Sequence, residues 1–175
     1  MQVRLATHEA RHAQPIYEAV RESISEVSPW MPWCHAEYGL SDAEAWVQAA
    51  SEAFQDRTSF EFVIESSDSR VLGCGGLNQI DSLNHRCNLG YWVRTSETRR
   101  GVATSAVRAL AAWAFRETEL VRLELTIANE NGGSRRVAEK AGARQEGSLR
   151  SRLFLRGRHH DAALYSIVRG DTHVA

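Results

Sequence analysis

The stretch Gly90-Tyr91-Trp92-Val93-Arg94-Thr95-Ser96-Glu97-Thr98-Arg99-Arg100-Gly101-Val102-Ala103-Thr104 is the part of the chain best suited to hold an anion. A strand ending at Val93 runs through a short turn into a helix start rich in small residues. A helix N-terminus presents N–H groups with no intrahelical acceptor and the positive end of a dipole, and both favour a phosphate. Gly101 and Ala103 carry little bulk, so an anion can come close to the backbone. The competing reading of the same spacing is an ordinary strand-to-helix junction that contains a glycine.

Other phosphate and catalytic motifs do not fit. A P-loop needs a lysine followed by Ser or Thr, and the single lysine, Lys140, precedes Ala141. Gly73-Cys74-Gly75-Gly76 begins like a dinucleotide fingerprint but lies in a strand that leads to another strand, so the required helix is missing. Close packing or a bulge accounts for it better. There is no G-x-S-x-G elbow and no HExxH helix. His159-His160-Asp161 has the residue types of a metal site or a proton relay, but adjacent histidines beside a hairpin turn read as solvated, and no metal is expected. Cys34, Cys74 and Cys87 cannot all pair with one another, and no CxxC occurs. They read as free thiols in a reducing cytoplasm.

The elements that must position the anion site follow from periodicity. Residues 2–6 read as a short strand. Pro15 suits the first turn of a helix, and Ile16, Val20, Ile24 and Val27 recur behind it at helical spacing. SPWMPW (28–33) breaks that helix. Ser41-Asp42-Ala43-Glu44 reads as a capping box ahead of the stripe Ala43, Trp46, Val47, Ala50 and Phe54. Residues 59–65 alternate, with Phe60, Phe62 and Ile64 opposite Glu61 and Glu65, as in a half-buried strand. Strands at 71–80 and 87–93 flank the turn DSLNH. A helix from Gly101 to about Arg116 precedes an alternating strand at 121–127, with Val121, Leu123, Leu125 and Ile127 on one face. A helix over 133–141 ends at Gly142 as a left-handed cap. Strands at about 143–155 and 161–168 join through Arg156-Gly157. The order β-α-α-β-β-β-α-β-α-β-β predicts an α/β fold with a mixed sheet: an antiparallel meander, then a parallel β-α-β unit.

The 175 residues suit one continuous domain, 1–175, since all three prolines lie within the first 32 residues and no linker composition follows. Apolar residues make up 43% and charged residues 25%, which excludes a disordered chain. A net charge of −1 gives no reason to expect a nucleic-acid or anionic-lipid partner. The N-terminus has no apolar run of a signal peptide, and no segment approaches the ~20 apolar residues of a membrane span. A cytoplasmic protein is expected.

GYWV…RRGVAT, ANENGGSRRVAEKAG and QEGSLRSRLFLRGRHHDAALYSIV, in that order, resemble the GNAT superfamily of N-acetyltransferases. More narrowly the chain resembles the RimJ/RimL subgroup, which acetylates protein N-termini. The likeness extends to SPWMPW and the LNQIDSLNH turn. The superfamily's phosphate motif [QR]-x-x-G-x-[GA] reads Thr98-Arg99-Arg100-Gly101-Val102-Ala103 here, so its first position departs. The NxxSxxVxEKxG pattern is met by Asn131, Ser134, Val137, Glu139, Lys140 and Gly142.

The resemblance implies a GNAT fold, with about seven strands in a mixed sheet flanked by four helices. It implies acetyl-CoA as cosubstrate, wedged where the strand ending at Val93 splays from strand 121–127. Amides of Arg99, Arg100, Gly101, Val102, Ala103 and Thr104 would hold the pyrophosphate. Backbone groups of Trp92, Val93 and Arg94 would pair with the pantetheine arm, a Val93 N–H would face the developing oxyanion, and Asn131 would touch the cofactor. Ser134 would protonate the leaving thiolate, or else cap the 133–141 helix. Tyr165 is a second candidate acid, or a buried structural tyrosine. Trp30, Trp33 and Trp92 offer apolar walls; Trp30 or Trp33 is expected to border the acceptor cleft, and Asn78 is placed on the acceptor side. Carboxylates that serve as bases in relatives fall on Asn88 and Leu153, so a water chain, Glu65 or His85 would have to take that role, or catalysis is weak.

The function implied is acetyl transfer from acetyl-CoA to a primary amine by direct attack in a ternary complex, with a protein or peptide N-terminal α-amine as acceptor. Alternatives are acetylation of a small amine (an antibiotic, a peptide toxin or a polyamine) and a degenerate acyl-CoA-binding sensor. A homodimer is an expected assembly.

Overall fold

The computed structural model describes residues 3–171. Its elements are β1 (Arg4–Thr7), α1 (Ala13–Val27), α2 (Leu40–Gln55), β2 (Phe60–Glu65), β3 (Val71–Asp81), β4 (Arg86–Val93), α3 (Val102–Glu117), β5 (Arg122–Ala128), α4 (Gly132–Ala141), β6 (Arg144–Leu155) and β7 (Arg158–Val168), with short 3₁₀ turns before α1 and α3. The seven strands form one sheet in the order β1-β2-β3-β4-β5-β7-β6. β2, β3 and β4 are the antiparallel meander, and β4 and β5 are the parallel pair.

Helices cover both faces. Ala13, Ile16, Val20 and Val27 of α1 and Ala43 and Val47 of α2 pack on Val63, Cys74 and Trp92. On the other face Val107, Leu110 and Ala111 of α3 and Ala138 of α4 pack on Phe60, Phe62, Leu77 and Leu89. The expectation of a half-buried strand at 59–65 is therefore corrected: all six residues of β2 are buried, because α1 and α2 cover the face that carries the glutamates. Glu61 and Glu65 must then find their partners inside the protein.

Helix starts also differ from the sequence reading. α2 begins at Leu40, two residues before a helix capped by Ser41 would, because the Asp42 carboxylate accepts the Gly39 N–H at 2.8 Å. α4 is capped by Asn131, whose Oδ1 accepts the Ser134 N–H at 3.0 Å. Gly142 ends it with φ 98°, a conformation glycine adopts without strain. Val121 stays outside β5 and is 45% exposed. His160 is buried rather than solvated, 3.5 Å from Glu130, whereas His159 is exposed against Phe154.

The functional consequence of the topology lies between β4 and β5. Their pairing holds only from Arg86↔Arg122 to Asn88↔Glu124. Beyond it β4 continues along β3 to Val93↔Gly73, and β5 continues along β7 to Ala128↔Ala162. The sheet opens there. The Arg94 N–H donates to Leu72 O at 2.8 Å, so strand alternation turns the N–H and C=O of Tyr91 and Val93 toward the gap.

Candidate active site

A cavity of about 600 Å³ opens at this gap. It is lined by Trp92, Val93, Arg99, Gly101, Val102, Ala103, Thr104, Asn131 and Ser134, all named from the sequence. Gly101 is the N-cap of α3 with φ 83°, and a Cβ there would meet nothing within 4 Å. The backbone therefore faces open space where α3 begins. The N–H groups of Val102, Ala103 and Thr104 have no carbonyl inside the helix to bond. Arg99, Arg136 and Lys140 add positive charge to the wall. The Val93 edge offers a strand-like ladder for an extended chain with amide groups. These features fit acetyl-CoA: amides and cations for its phosphates, and an open strand edge for the pantetheine arm.

Two expected cofactor residues lie outside this cavity. The Arg94 guanidinium bonds Glu22 and the Val71 carbonyl, and its backbone N–H is spent on Leu72, so it fixes the turn to α1. Arg100 points to the buried Glu97 at 3.0 Å, which also accepts from Arg70 at 2.6 Å. Trp30, expected on the acceptor side, lines this first cavity.

A second cavity, about 670 Å³, lies under α1 and α2. Trp33 and Asn78 line it, with Tyr38, Trp46 and Glu61. Met31, Tyr91 and Trp92 line both cavities, so the two meet at β4. Trp33 packs at 5.8 Å from Trp92 and 5.9 Å from Tyr38, and is 40% exposed.

The sequence reading missed Tyr91 and Glu61. Tyr91 and Ser134 hydroxyls stand 2.9 Å apart, and burial pushes the Tyr91 phenol up to about 12. Capping by Asn131 leaves the Ser134 hydroxyl available for this contact, which corrects the capping role considered for Ser134. Glu61 is 9% exposed, and its Oε1 accepts from Asn78 Nδ2 at 3.2 Å. Asn78 Oδ1 in turn accepts from Asn88 Nδ2 at 2.9 Å. Asn88 lines neither cavity; it orients Asn78. Burial raises the Glu61 carboxyl above its ordinary value, and the Asn78 bond pulls the other way.

The other expected acids and bases lie elsewhere. The Tyr165 hydroxyl is buried, donates to Glu139 at 3.0 Å, and lines neither cavity. Glu65 sits between His12 and Arg4, and His85 is exposed in the β3–β4 turn. Leu153 pairs with His160 across β6 and β7. The signal for Glu61 was present in the sequence as Gly76, its cross-strand partner: a Cβ there would stand 2.1 Å from Glu61 Oε2. A larger residue at 76 would also crowd the Phe60 carbonyl at 2.7 Å, so the glycine lets the carboxylate lie where it does. Gly73 has a similar reason, since a Cβ would stand 2.1 Å from the Trp92 carbonyl, next to a bulge at Ile64/Glu65.

A family profile for an acetyltransferase (GNAT) domain matches residues 2–144. The chain belongs to that family. Among its relatives is YdaF of Bacillus subtilis (strain 168), 35% identical over 102 residues that span 58% of this chain and 56% of that protein, little more than half its length. The ribosomal-protein-serine acetyltransferase of Escherichia coli (strain K12) is 26% identical over 155 residues, 89% of this chain and 86% of that one. Among solved structures, RimJ of Mycobacterium smegmatis in complex with CoA-disulfide superposes with a TM-score of 0.86 at 25% identity, covering 95% of this chain and 81% of that one. The first cavity suits acetyl-CoA as donor. Among the described residues no group of side chains is arranged to hold a metal, and no helix is long and apolar enough to cross a membrane.

Proposed function

We propose that the protein transfers the acetyl group of acetyl-CoA to a primary amine by direct attack, with the α-amine of a protein or peptide as acceptor, in the cytoplasm. The observation that carries this reading is the meeting of two cavities at Tyr91 and Trp92, one suited to the donor and one closed by apolar walls around a carboxylate. The amine nitrogen attacks the thioester carbonyl carbon, and a C–N bond forms. The Val93 N–H, turned into the gap, suits the oxygen that becomes anionic. As the C–S bond breaks, its electron pair stays on sulfur, and Tyr91 with Ser134 supplies the proton. Raised to about 12, the phenol keeps that proton at neutral pH.

The preference for an α-amine rests on its pKa of ~7.7–8.0 against ~10.4 for lysine, a gap worth ~3.4 kcal/mol of deprotonation. The name of the E. coli relative, a ribosomal-protein-serine acetyltransferase, supports a protein acceptor. Absence of a base in the cleft does not support it, because Glu61 is there. The test compares a lysine-free peptide bearing a free N-terminus with its N-terminally blocked, lysine-containing counterpart, following thiol release. Faster reaction of the blocked peptide overturns the α-amine assignment. Tight CoA binding with no thiol release from any amine favours the sensor instead.

A further inference from the structure

Glu61 is a buried carboxylate with a hydrogen bond to Asn78 and, among the described residues, no cation paired to it. A buried charge without a counter-ion is costly, so such a group either stays protonated or meets a cation that arrives from outside. It lines a cavity that shares Met31, Tyr91 and Trp92 with the donor cavity. Ile16, Val20, Met31, Trp33, Trp46 and Trp92 make much of the remaining wall apolar. The other carboxylate on that wall, Asp42, already accepts the Gly39 N–H that starts α2. The Glu61–Asn78 bond uses Oε1, which leaves Oε2, lying over Gly76, to receive a proton donor.

Resting on the acetyl-transfer reading, we infer that the second cavity takes a primary ammonium onto Glu61, from an acceptor whose amine-bearing carbon carries an aromatic or large aliphatic group, and that Glu61 removes its first proton. The N–H proton passes to Oε2 and the nitrogen lone pair becomes free. The neutral nitrogen then attacks, the thiolate takes a proton from Tyr91, and the second nitrogen proton restores the Tyr91 phenol as the amide forms. One of the two protons ends on sulfur and the other, by way of Glu61, in solvent. The bulky group has the tryptophan walls to fill, whereas a serine or alanine side chain would leave most of a 670 Å³ space to water. Asn78, oriented by Asn88, holds the carboxylate toward the cavity. The titratable groups that share this space are Asp42 of α2, Cys74 of β3, Tyr91 of β4, and His35 and Tyr38 of the segment between α1 and α2.

The test uses the whole chain, acetyl-CoA and lysine-free peptides that begin with Phe, Leu, Ser or Asp, with phenethylamine as a small probe. The expected result is kcat/KM higher for the Phe and Leu peptides than for the Ser peptide by about tenfold or more, as a pocket contact of this size implies. Trp33→Ala should lower kcat/KM for the Phe and Leu peptides by about tenfold more than for the Ser peptide, bringing the peptides toward equal rates. Glu61→Gln should lower kcat/KM about a hundredfold or more at pH 6.5, with the loss shrinking as pH rises past ~8, where the amine is neutral without help. A structural loss would be the same at every pH. CoA titration checks that each variant is folded, and if E61Q fails it, the wild-type order of the peptides still decides. Equal rates for Ser and Phe peptides, or a pH-independent loss in E61Q, overturn this inference and leave acetyl transfer standing. No thiol release from wild type with any amine overturns both.

Discussion

Gly101→Glu is the sharpest perturbation of the donor site. Gly101 holds φ 83° at the start of α3, with open space where a side chain would project. A side chain there clashes with nothing in the protein, so its cost to folding is the left-handed backbone strain alone, roughly 1–2 kcal/mol. That lowers Tm by about 2–8 °C for a chain of this size. The larger effect is on the donor. A carboxylate about 5 Å from a phosphate charge, at an effective dielectric near 20, is repelled by about 3 kcal/mol, or roughly two hundredfold in Kd. Gly101→Ala carries the strain without the charge and should cost CoA less than about tenfold. Calorimetric titration with CoA, alongside thermal melts of all three proteins, separates the terms. A G101E Kd within about threefold of wild type, with Tm lowered as expected, would refute the placement of the pyrophosphate at the start of α3.

The hydroxyl pair gives a second test. Tyr91→Phe should lower kcat by about 10²–10⁴-fold with little change in the KM for CoA. Adding Ser134→Ala should then cost far less than it does in the wild type, because the two groups act through one contact of 2.9 Å. Additive losses in pre-steady-state thiol release would show that they act separately. A third prediction concerns pH and stability. Both ring nitrogens of His8 are buried without a partner, and burial, helped by the charge of His12, pushes the imidazole down to about 4. The unfolded chain takes a proton near ~6.5 that the folded chain refuses until about 4, so stability falls as pH drops through that window, by on the order of 3 kcal/mol. His8→Phe keeps the edge-on packing against Trp46 at 5.9 Å and should flatten the fall. Urea denaturation at pH 7 and pH 4.5 reads it, and an unchanged slope in the variant would assign the loss to other groups.

Element types and order were legible in the sequence because burial imprints a period on each segment. Val107 and Leu110 recur at helical spacing under α3, and Leu123, Leu125 and Ile127 alternate along β5. The start of α3 was legible too, since Gly101 and the free amides behind it depend only on local conformation. Boundaries shifted where neighbouring residues competed for one local cap, as when Asp42, accepting the Gly39 N–H, rather than Ser41 set the start of α2. The acceptor side was not legible. Glu61 stands on an alternating strand that looks half-solvated, and only the packing of α1 and α2 over that face turns it into a buried carboxylate. Asn88 looked like a lost base, but across the strands it is the residue that orients Asn78. Tyr91 meets Ser134 over 43 positions of sequence because β4 parts from β5 after three pairs and lets α4 approach. Local dihedral preferences and hydrophobic period thus set the elements and the anion-binding turn. The acid, the carboxylate and the shape of the acceptor cavity come from side chains distant in the chain, which only the register of the sheet brings together.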